Sequence, residues 1–547
     1  MFVLEQHKLK HTLATTGRTL LALIIVISAI ANVSTIYMES RLGIVTFTEP
    51  LMDLGGANWE HEGLIMMGVT MLLIARALFR GKRQAWWLSM FFLVISLMSA
   101  VISKSDRISI LLSLSLLIFL LILAPLFPRR SDTRALVRGY VALALTLCCI
   151  VSYALVNYFW PIEIVHASYV LRDALLFMLH VVSLLIIGFG VVEILRPVHS
   201  TLHQSDNECI RACEVVNRYG NLATAHFVLD IDKVYFWSET GRAFIAYRVV
   251  HEVALALGDP IGPEEEHATI LTAFLEFCHL QDWPVAFYQA SARTYSLCQG
   301  RGLLAYKIGE EALIDVARFT LLGKRGAPVR HAITRAKREG LTVQCWQSND
   351  IPQLVFDGMQ RISAEWLDTR KVQSQMGFSM GRFPDDWSKD QLTVVALDPQ
   401  GYVQAFLTWT PLYAGNGWAL DGMRRGDQTP SGAMELLIAY AVEWAQTNGY
   451  LRMSLGLAPL SGLGGQKDLD ATTCNVWQSN KLRSLSFVER CAAFLHRRGI
   501  LLGEYRSLYA FKAKFQPDWE SRYLIVSERS GLLRIVLALA KAHNSNG

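Results

Sequence analysis

The chain runs to 547 residues, too long for a single hydrophobic core, so two or three domains are expected. Apolar residues make up 52%, high for a soluble protein, and the net charge of +5 says little until it is located. Nine scattered cysteines lack the spacing of a disulfide framework or a zinc site, which leaves reduced cytosolic thiols.

The apolar residues crowd into 1–197. Six runs there approach the about 20 residues that a membrane-crossing helix needs: Leu20–Tyr37, Gly63–Phe79, Ala85–Ser103, Ile108–Phe127, Val137–Trp160 and Val170–Leu195. Lys8, Lys10 and Arg18 precede the first run. Arg80, Lys82 and Arg83 follow the second, Arg129, Arg130, Arg134 and Arg138 follow the fourth, and Arg196 follows the sixth. The alternate loops carry Glu39, Glu49, Asp53, Glu60, Glu62 and Glu163 with few basic residues. The positive-inside rule then predicts that both termini are cytoplasmic. Arg172, Asp173 and His180 in the sixth run read as a bundle-internal pair with an interfacial arginine, in preference to a transport path.

After a polar connector, strands and helices alternate. Strands are expected at Val234–Ser238, Ala243–Val250, Val253–Leu257, Val285–Gln289, Ala305–Ile308, Thr342–Trp346, Thr393–Leu397, Val403–Thr410 and Leu451–Gly456. Helices are expected at Ala268–Leu280, Val329–Glu339, Ile351–Trp366, Ser431–Thr447 and Trp477–Arg498. Hairpins mixed with single crossover helices argue for α+β, mixed-sheet domains. The rhythm occurs twice, which divides the chain into a six-helix transmembrane domain at 1–197, a first mixed domain at 198–347 and a second at 348–547 that ends in a helix. His199, His203, Cys209 and Cys213 read as a polar helix face rather than a metal site.

The stretch from Asp421 to Glu435 joins a strand end to a helix start. Thr429 suits an N-cap and Pro430 the first helical position, so Arg424, Arg425 and an open helix N-terminus meet at one place that favours an anionic or ester-bearing ligand. Between Arg318 and Leu341 there are seven Lys/Arg and one acid, Glu339. A solvated face usually mixes its signs, so Lys324, Arg325, Arg330, Arg335, Lys337 and Arg338 point to phosphates, of nucleic acid or of lipid headgroups. A second basic group, with Lys512 and Lys514, lies near the C-terminus. The run Leu532–Ala542 either lies on a membrane surface or packs as a terminal helix. There is no Gly-x-Ser-x-Gly elbow, Walker loop or His-Glu-x-x-His motif. The glycine-rich loop expected of a CoA-binding acyltransferase is also missing, since arginines, Asp427 and a proline stand where it would be.

Several separated stretches, in order, resemble the aminoacyl-phosphatidylglycerol synthases, the multiple peptide resistance factor family. They are Ala243-Phe-Ile-Ala-Tyr-Arg248, Leu257-Gly-Asp-Pro-Ile-Gly-Pro263, Lys307-Ile-Gly-Glu-Glu-Ala312 and Gly377-Phe-Ser-Met-Gly-Arg-Phe383. The stretch from Asp421 follows, then Leu455-Gly-Leu-Ala-Pro-Leu-Ser-Gly-Leu463 and Phe511-Lys-Ala-Lys-Phe-Gln-Pro-Asp-Trp-Glu-Ser-Arg-Tyr523. The resemblance covers about residues 205–527. It implies tandem acetyltransferase-like (GNAT-type) domains that no longer use CoA and take an amino acid, lysine first, from aminoacyl-tRNA. The acceptor is phosphatidylglycerol of the bacterial cytoplasmic membrane, and the cationic product lipid lowers the negative surface charge and confers resistance to cationic peptides. Ester-to-ester exchange is nearly balanced, so no cofactor, ATP or metal is expected. Six spans are too few for the additional N-terminal portion, associated with moving the product lipid, of longer members. Ser454 stands where asparagine is expected in many relatives.

On this reading Asp421, Arg424 and Glu435 are the catalytic candidates. The carboxylates receive the substrate amine, one of them assisting proton transfer, while Arg424 and the helix N-terminus hold oxyanion charge or the lipid phosphate. Arg425, Gly432, Ser454, Gly456, Ser461, Lys512, Lys514 and Asp259 are the substrate-binding candidates, and the basic helix takes tRNA phosphates. A homo-oligomer is left open. Two other classes stay open as well: a membrane-tethered acyl-CoA-dependent N-acyltransferase, and a non-enzymatic lipid transport protein or flippase.

Overall fold

The computed structural model describes residues 16–26, 72–102, 107–129, 131–159, 169–196, 204–299, 301–347, 350–370, 377–383, 390–459, 461, 503–527 and 532–544. It divides into two compact units, Met1–Ser200 with Phe277–Trp283, and Thr201–Glu276 with Pro284–Gly547.

The first unit is helical, with α1 (Arg83–Ile102), α2 (Arg107–Ile122), α3 (Thr133–Phe159) and α4 (Tyr169–Ile194). Helices α3 and α4 meet backbone to backbone, because a Cβ at Gly139 would stand 2.9 Å from the Gly190 carbonyl oxygen. Small residues allow that approach. Glu193 accepts ion pairs from Arg138 and Arg196, both at 2.7 Å. Among the described residues, no helix is long and apolar enough to cross a membrane. Most of the first two expected spans lies outside the described residues, as do the side chains of Arg172, Asp173 and His180.

Among the described residues, the second unit is built on one mixed sheet of eleven strands. In chain order they are β1 (Val234–Trp237), β2 (Phe244–Val250), β3 (Val253–Leu257), β4 (Val285–Ala290), β5 (Leu304–Asp315), β6 (Thr342–Gln347), β7 (Leu392–Leu397), β8 (Val403–Leu412), β9 (Gly417–Arg425), β10 (Arg452–Pro459) and β11 (Asp518–Val526). The spatial order is β1-β2-β3-β4-β11-β5-β10-β9-β8-β7-β6. Two pairs are parallel, β3 with β4 and β9 with β10; every other pairing is antiparallel. Parallel neighbours need a crossover, and each pair has one: α6 (His267–Gln281) and α10 (Ala433–Thr447). The α+β mixed sheet expected from the sequence is therefore present.

The segments 198–347 and 348–547, the first and second repeats, share this one sheet side by side with their last strands exchanged. β5, at the end of the first repeat, pairs with β10 of the second, and β11, from the end of the chain, pairs with β4 of the first. The sequence does not show β11 as a strand, because Pro517 stands directly before it and its Asp518–Arg522 half carries charges. Central placement also lengthens β5 to twelve residues, beyond the four expected.

Helices cover both faces. On one face of the second repeat, α8 (Gly323–Arg338) and α10 bury Val329, Ala336, Leu437 and Ala441 against Val394 and Ala396 of β7 and Leu407 and Trp409 of β8. On the other, Val355, Met359 and Ile362 of α9 (Gln353–Arg370) meet Val395, Leu397 and Phe406. The alternation of residues along β7 between these cores is the period-two pattern of a strand buried on both faces. In the first repeat, α5 (Asp206–Tyr219) begins with a capping box formed by Ser205 and Glu208. It carries Cys209 and Cys213, while His199 and His203 lie outside the described residues. A terminal helix, α12 (Leu532–Asn544), buries Ile535, Ala538 and Ala542 in that core, so the packed alternative for this run is the observed one. The expected helix Trp477–Arg498 lies outside the described residues.

Candidate active site

The site begins where a parallel pair separates. β9 and β10 pair only at Gly417–Arg452, Trp418–Met453 and Ala419–Ser454. Beyond that point β9 stays with β8 as far as Arg425, and β10 stays with β5 as far as Pro459. A wedge opens between them. On its β10 side Gly456 has φ +78°, and a Cβ there would stand 3.7 Å from the Lys512 Nζ. Glycine tolerates that left-handed backbone.

Asp421 and Arg424 reach one face through a bulge. Three residues apart in a regular strand, they would point to opposite faces. The register slips between Thr408–Gly422 and Trp409–Leu420, leaving Asp421 as the extra residue. A bulge of this kind re-aims side chains. Asp421 accepts a hydrogen bond from the Gly381 N–H at 2.8 Å and one from the Thr408 hydroxyl at 3.5 Å. Arg424 donates to the Ser363 hydroxyl, and its guanidinium lies 5.5 Å from both the Trp366 and Phe383 ring centres. Burial lowers its pKa, and the Asp421 charge acts against that. The sequence named Asp421 and Arg424 but missed Ser363, 61 residues upstream of Arg424, and Trp366, both delivered by α9.

A second network joins three of the resembling stretches. Ser454 donates to Glu311 at 2.5 Å and accepts from the Gly456 N–H at 3.0 Å. Glu311 also takes the Arg522 guanidinium, Nε at 2.7 Å and Nη2 at 2.6 Å. Both partners are buried, and although burial opposes it, Glu311 raises the Arg522 pKa. A buried pair of this kind is costly to break from one side. Lys512, on α11 (Gly503–Ala513), donates to the Leu457 carbonyl at 2.8 Å. Burial lowers its pKa to about 8, with Glu311 pulling the other way. Glu311 and Arg522 were not singled out from sequence, because their partnership exists only across the exchanged strands.

Several sequence expectations change at these residues. Thr429 does not cap the helix: its hydroxyl donates to the Gln404 carbonyl at 2.6 Å, and the N-cap is Gly432 with φ +95°. Nor is that N-terminus open, since a Cβ on Gly432 would come within 2.2 Å of the Ala332 carbonyl of α8. Gly432 therefore serves the contact between α10 and α8. Glu435 and Lys514, named for separate roles, form one ion pair at 2.8 Å. Ser461 ties the end of β10 to β5, accepting from the Glu310 N–H at 2.9 Å and donating to the Ala458 carbonyl at 2.7 Å. Asp259 lies in the other repeat, where it accepts from the Ser291 N–H at 2.8 Å and the Ser291 hydroxyl at 2.5 Å.

The basic helix starts at Gly323, six residues earlier than expected, and includes Pro328. Lys324, Arg325, Arg330, Arg335, Lys337 and Arg338 are all exposed. Arg330 folds back onto the Leu321 and Gly323 carbonyls, and Arg335 reaches Ser431 at 3.2 Å, directly before α10. Arg425 ends β9 exposed.

Residues 213–526 match the family model described as phosphatidylglycerol lysyltransferase, C-terminal. The phosphatidylglycerol lysyltransferase of Bacillus subtilis (strain 168) is 26% identical over 78% of this chain and 49% of its own length. The lysylphosphatidylglycerol biosynthesis bifunctional protein LysX of Rhodococcus opacus (strain B4) is 28% identical over 86% of this chain and 43% of its own. The chain thus spans about half, or less, of the curated relatives it matches. Among solved structures, the C-terminal domain of a lysylphosphatidylglycerol synthetase from Agrobacterium fabrum aligns with TM-score 0.52 and 28% identity, over 62% of this chain and 98% of that one. The L-PGS of Bacillus licheniformis aligns with TM-score 0.50 and 26% identity, over 61% and 95%.

Proposed function

We propose, from the premise that this chain belongs to the family of phosphatidylglycerol lysyltransferase C-terminal domains, that it moves an aminoacyl group, lysyl first, from aminoacyl-tRNA to phosphatidylglycerol. The observation that carries this reading is the wedge between β9 and β10, which has the Asp421–Arg424 pair on one strand and Gly456 with Lys512 at the other. The lipid glycerol hydroxyl attacks the aminoacyl ester carbonyl. The bond to the tRNA ribose oxygen breaks, and the hydroxyl proton ends on that ribose. The exchange leaves the total charge unchanged and involves no oxidation or phosphoryl transfer, so positioning and one proton carrier suffice.

Lys512 suits the carrier, because a lysine brought to a pKa of about 8 exchanges protons near neutral pH. Arg424, desolvated beside Asp421, supplies fixed positive charge for the developing oxyanion, and Asp421 accepts the substrate ammonium. The exposed cations of α8, next to the start of α10, suit tRNA phosphates. On the same reading the N-terminal helices lie in the bacterial cytoplasmic membrane with both termini cytoplasmic. Large apolar side chains exposed along them, including Phe91, Leu111, Ile122, Val137 and Leu185, support it. The expected six-span count and any homo-oligomer belong to this proposal too.

Lipid extracts from cells expressing the full chain, read by mass spectrometry, test it. Aminoacylated phosphatidylglycerol should appear with the wild type, its added mass naming the amino acid, and fall below detection with Asp421→Ala or Arg424→Ala. Wild-type product levels in both variants would overturn the site. Absence of the lipid together with saturable CoA binding would return the acyl-CoA reading.

A further inference from the structure

The Asp421 carboxylate is held from a loop, Gly377 to Phe383, that lies between α9 and β7. Its Gly381 N–H donates to Asp421 Oδ1 at 2.8 Å. A Cβ at Gly381 would fall 2.6 Å from Asp421 Oδ2, so the carboxylate needs glycine there to sit where it does. The other end of the loop is fastened to the last turn of α12. The Gly377 N–H donates to the His543 carbonyl at 2.9 Å. His543 Nδ1 stands 2.8 Å from the Leu539 carbonyl, which can only accept, so the proton is on Nδ1. In the neutral ring Nε2 is then the acceptor for the Ser379 hydroxyl at 3.2 Å.

Between these ends Phe378 takes φ +66°, uncommon for a side chain of that size, and is buried. It packs against the rings of His543 and Tyr288 at 5.6 and 6.2 Å, with the Lys233 ammonium 5.2 Å from its own ring centre. Backbone strain of this kind persists only where the surroundings over-determine it. Here those surroundings are the first repeat: Tyr288 is on β4, Lys233 precedes β1, and α12 is packed on β2 and β3. His543 lies beyond residues 213–526, outside the stretch the family model matches.

We propose that His543 is a positioning residue for the transfer reaction: through Ser379 and the Gly377–Phe383 loop, the terminal helix fixes the orientation of the Asp421 carboxylate. The role in transfer rests on the function proposed above, whereas the anchoring does not. His543→Leu removes the Ser379 bond and keeps an apolar filling. Small misplacement of a reacting group costs roughly ten- to a hundredfold in rate. The expected result is a kcat loss of that order with little change in the KM for aminoacyl-tRNA, and partial recovery in His543→Gln, which restores an acceptor.

A double-mutant cycle separates positioning from general support. In an Asp421→Asn background, His543→Leu should cost nothing further, because the group it orients is already gone. Equal losses in both backgrounds overturn the proposal, as does wild-type kcat in His543→Leu. Amide hydrogen exchange over 377–383, measured on the full chain without substrate, checks the anchor alone: faster exchange in His543→Leu supports it and unchanged protection overturns it. If the wild type makes no aminoacyl lipid, the transfer reading falls with the positioning role that rests on it, and the exchange result still decides whether His543 anchors the loop.

Discussion

The sheet contains two parallel strand pairs built on one plan, and only one of them opens. In the first repeat, β3 and β4 pair from Ala254–Val285 to Leu257–Tyr288, and the contact continues past the strands. Gly258 donates to Tyr288 at 2.8 Å, and Asp259 then binds the Ser291 N–H and hydroxyl. In the second repeat, β9 and β10 part after Ala419–Ser454, the β10 backbone turns at Gly456, and a bulge brings Asp421 and Arg424 to one face. The closed pair is stitched by a carboxylate, whereas the carboxylate of the open pair, Asp421, is bound by the Gly381 N–H and the Thr408 hydroxyl. Through α12 and the Gly377–Phe383 loop, the closed repeat also supports the open one.

The largest expected effect lies at the open end. Lys512→Met keeps the apolar stem and removes the proposed proton carrier, so turnover should fall by roughly 10²–10⁴-fold while the fold survives. The wild-type pH dependence follows from the same group. The base form of Lys512 takes the proton, so kcat/KM should rise with pH and level off above an apparent pKa near 8. Glu311 favours the ammonium, so Glu311→Gln should move that rise to lower pH. A rise that stays in place in Glu311→Gln, or persists in Lys512→Met, would remove Lys512 from the reaction and leave the wedge as a binding cleft.

A smaller effect belongs to α8. Its cations are exposed, and Arg335 reaches Ser431 before the start of α10, so they should act on binding rather than turnover. Lys337→Gln with Arg338→Gln should raise the KM for aminoacyl-tRNA and leave kcat alone. Each lost phosphate contact should flatten the dependence of log affinity on log salt by roughly 0.7–0.9. An unchanged salt slope would move the tRNA to another face.

Much of this architecture can be read in the sequence, within limits that have physical causes. The crossover helices show in their apolar periodicity, and the cationic face of α8 shows in composition alone. The Asp421–Arg424 pair can be named from its motif, yet its shared face cannot, because a bulge is a register event between two strands. Glu311 stands 143 residues from Ser454 and 211 from Arg522, and only the exchange of β5 and β11 brings the three together. In the sequence, Asp259 and Asp421 each follow an apolar run next to a glycine and look alike locally. Pairing beyond the strand ends tells them apart, and that is a tertiary fact.

Asp259 therefore gives the smallest and most discriminating prediction. If the first repeat is closed for support, Asp259→Asn or Ser291→Ala should weaken the stitch between β3 and β4. The cost is about 1–2 kcal/mol, the ordinary worth of a partly buried hydrogen bond to a charged group. Thermal unfolding should begin a few degrees earlier. The kcat and both KM values should stay at the wild-type level, since neither residue borders the β9–β10 wedge. Loss of turnover with an unshifted melting curve would mean that the first repeat handles substrate. The two parallel pairs would then be two halves of one reaction path, and the motif around Asp259 would be a site in its own right.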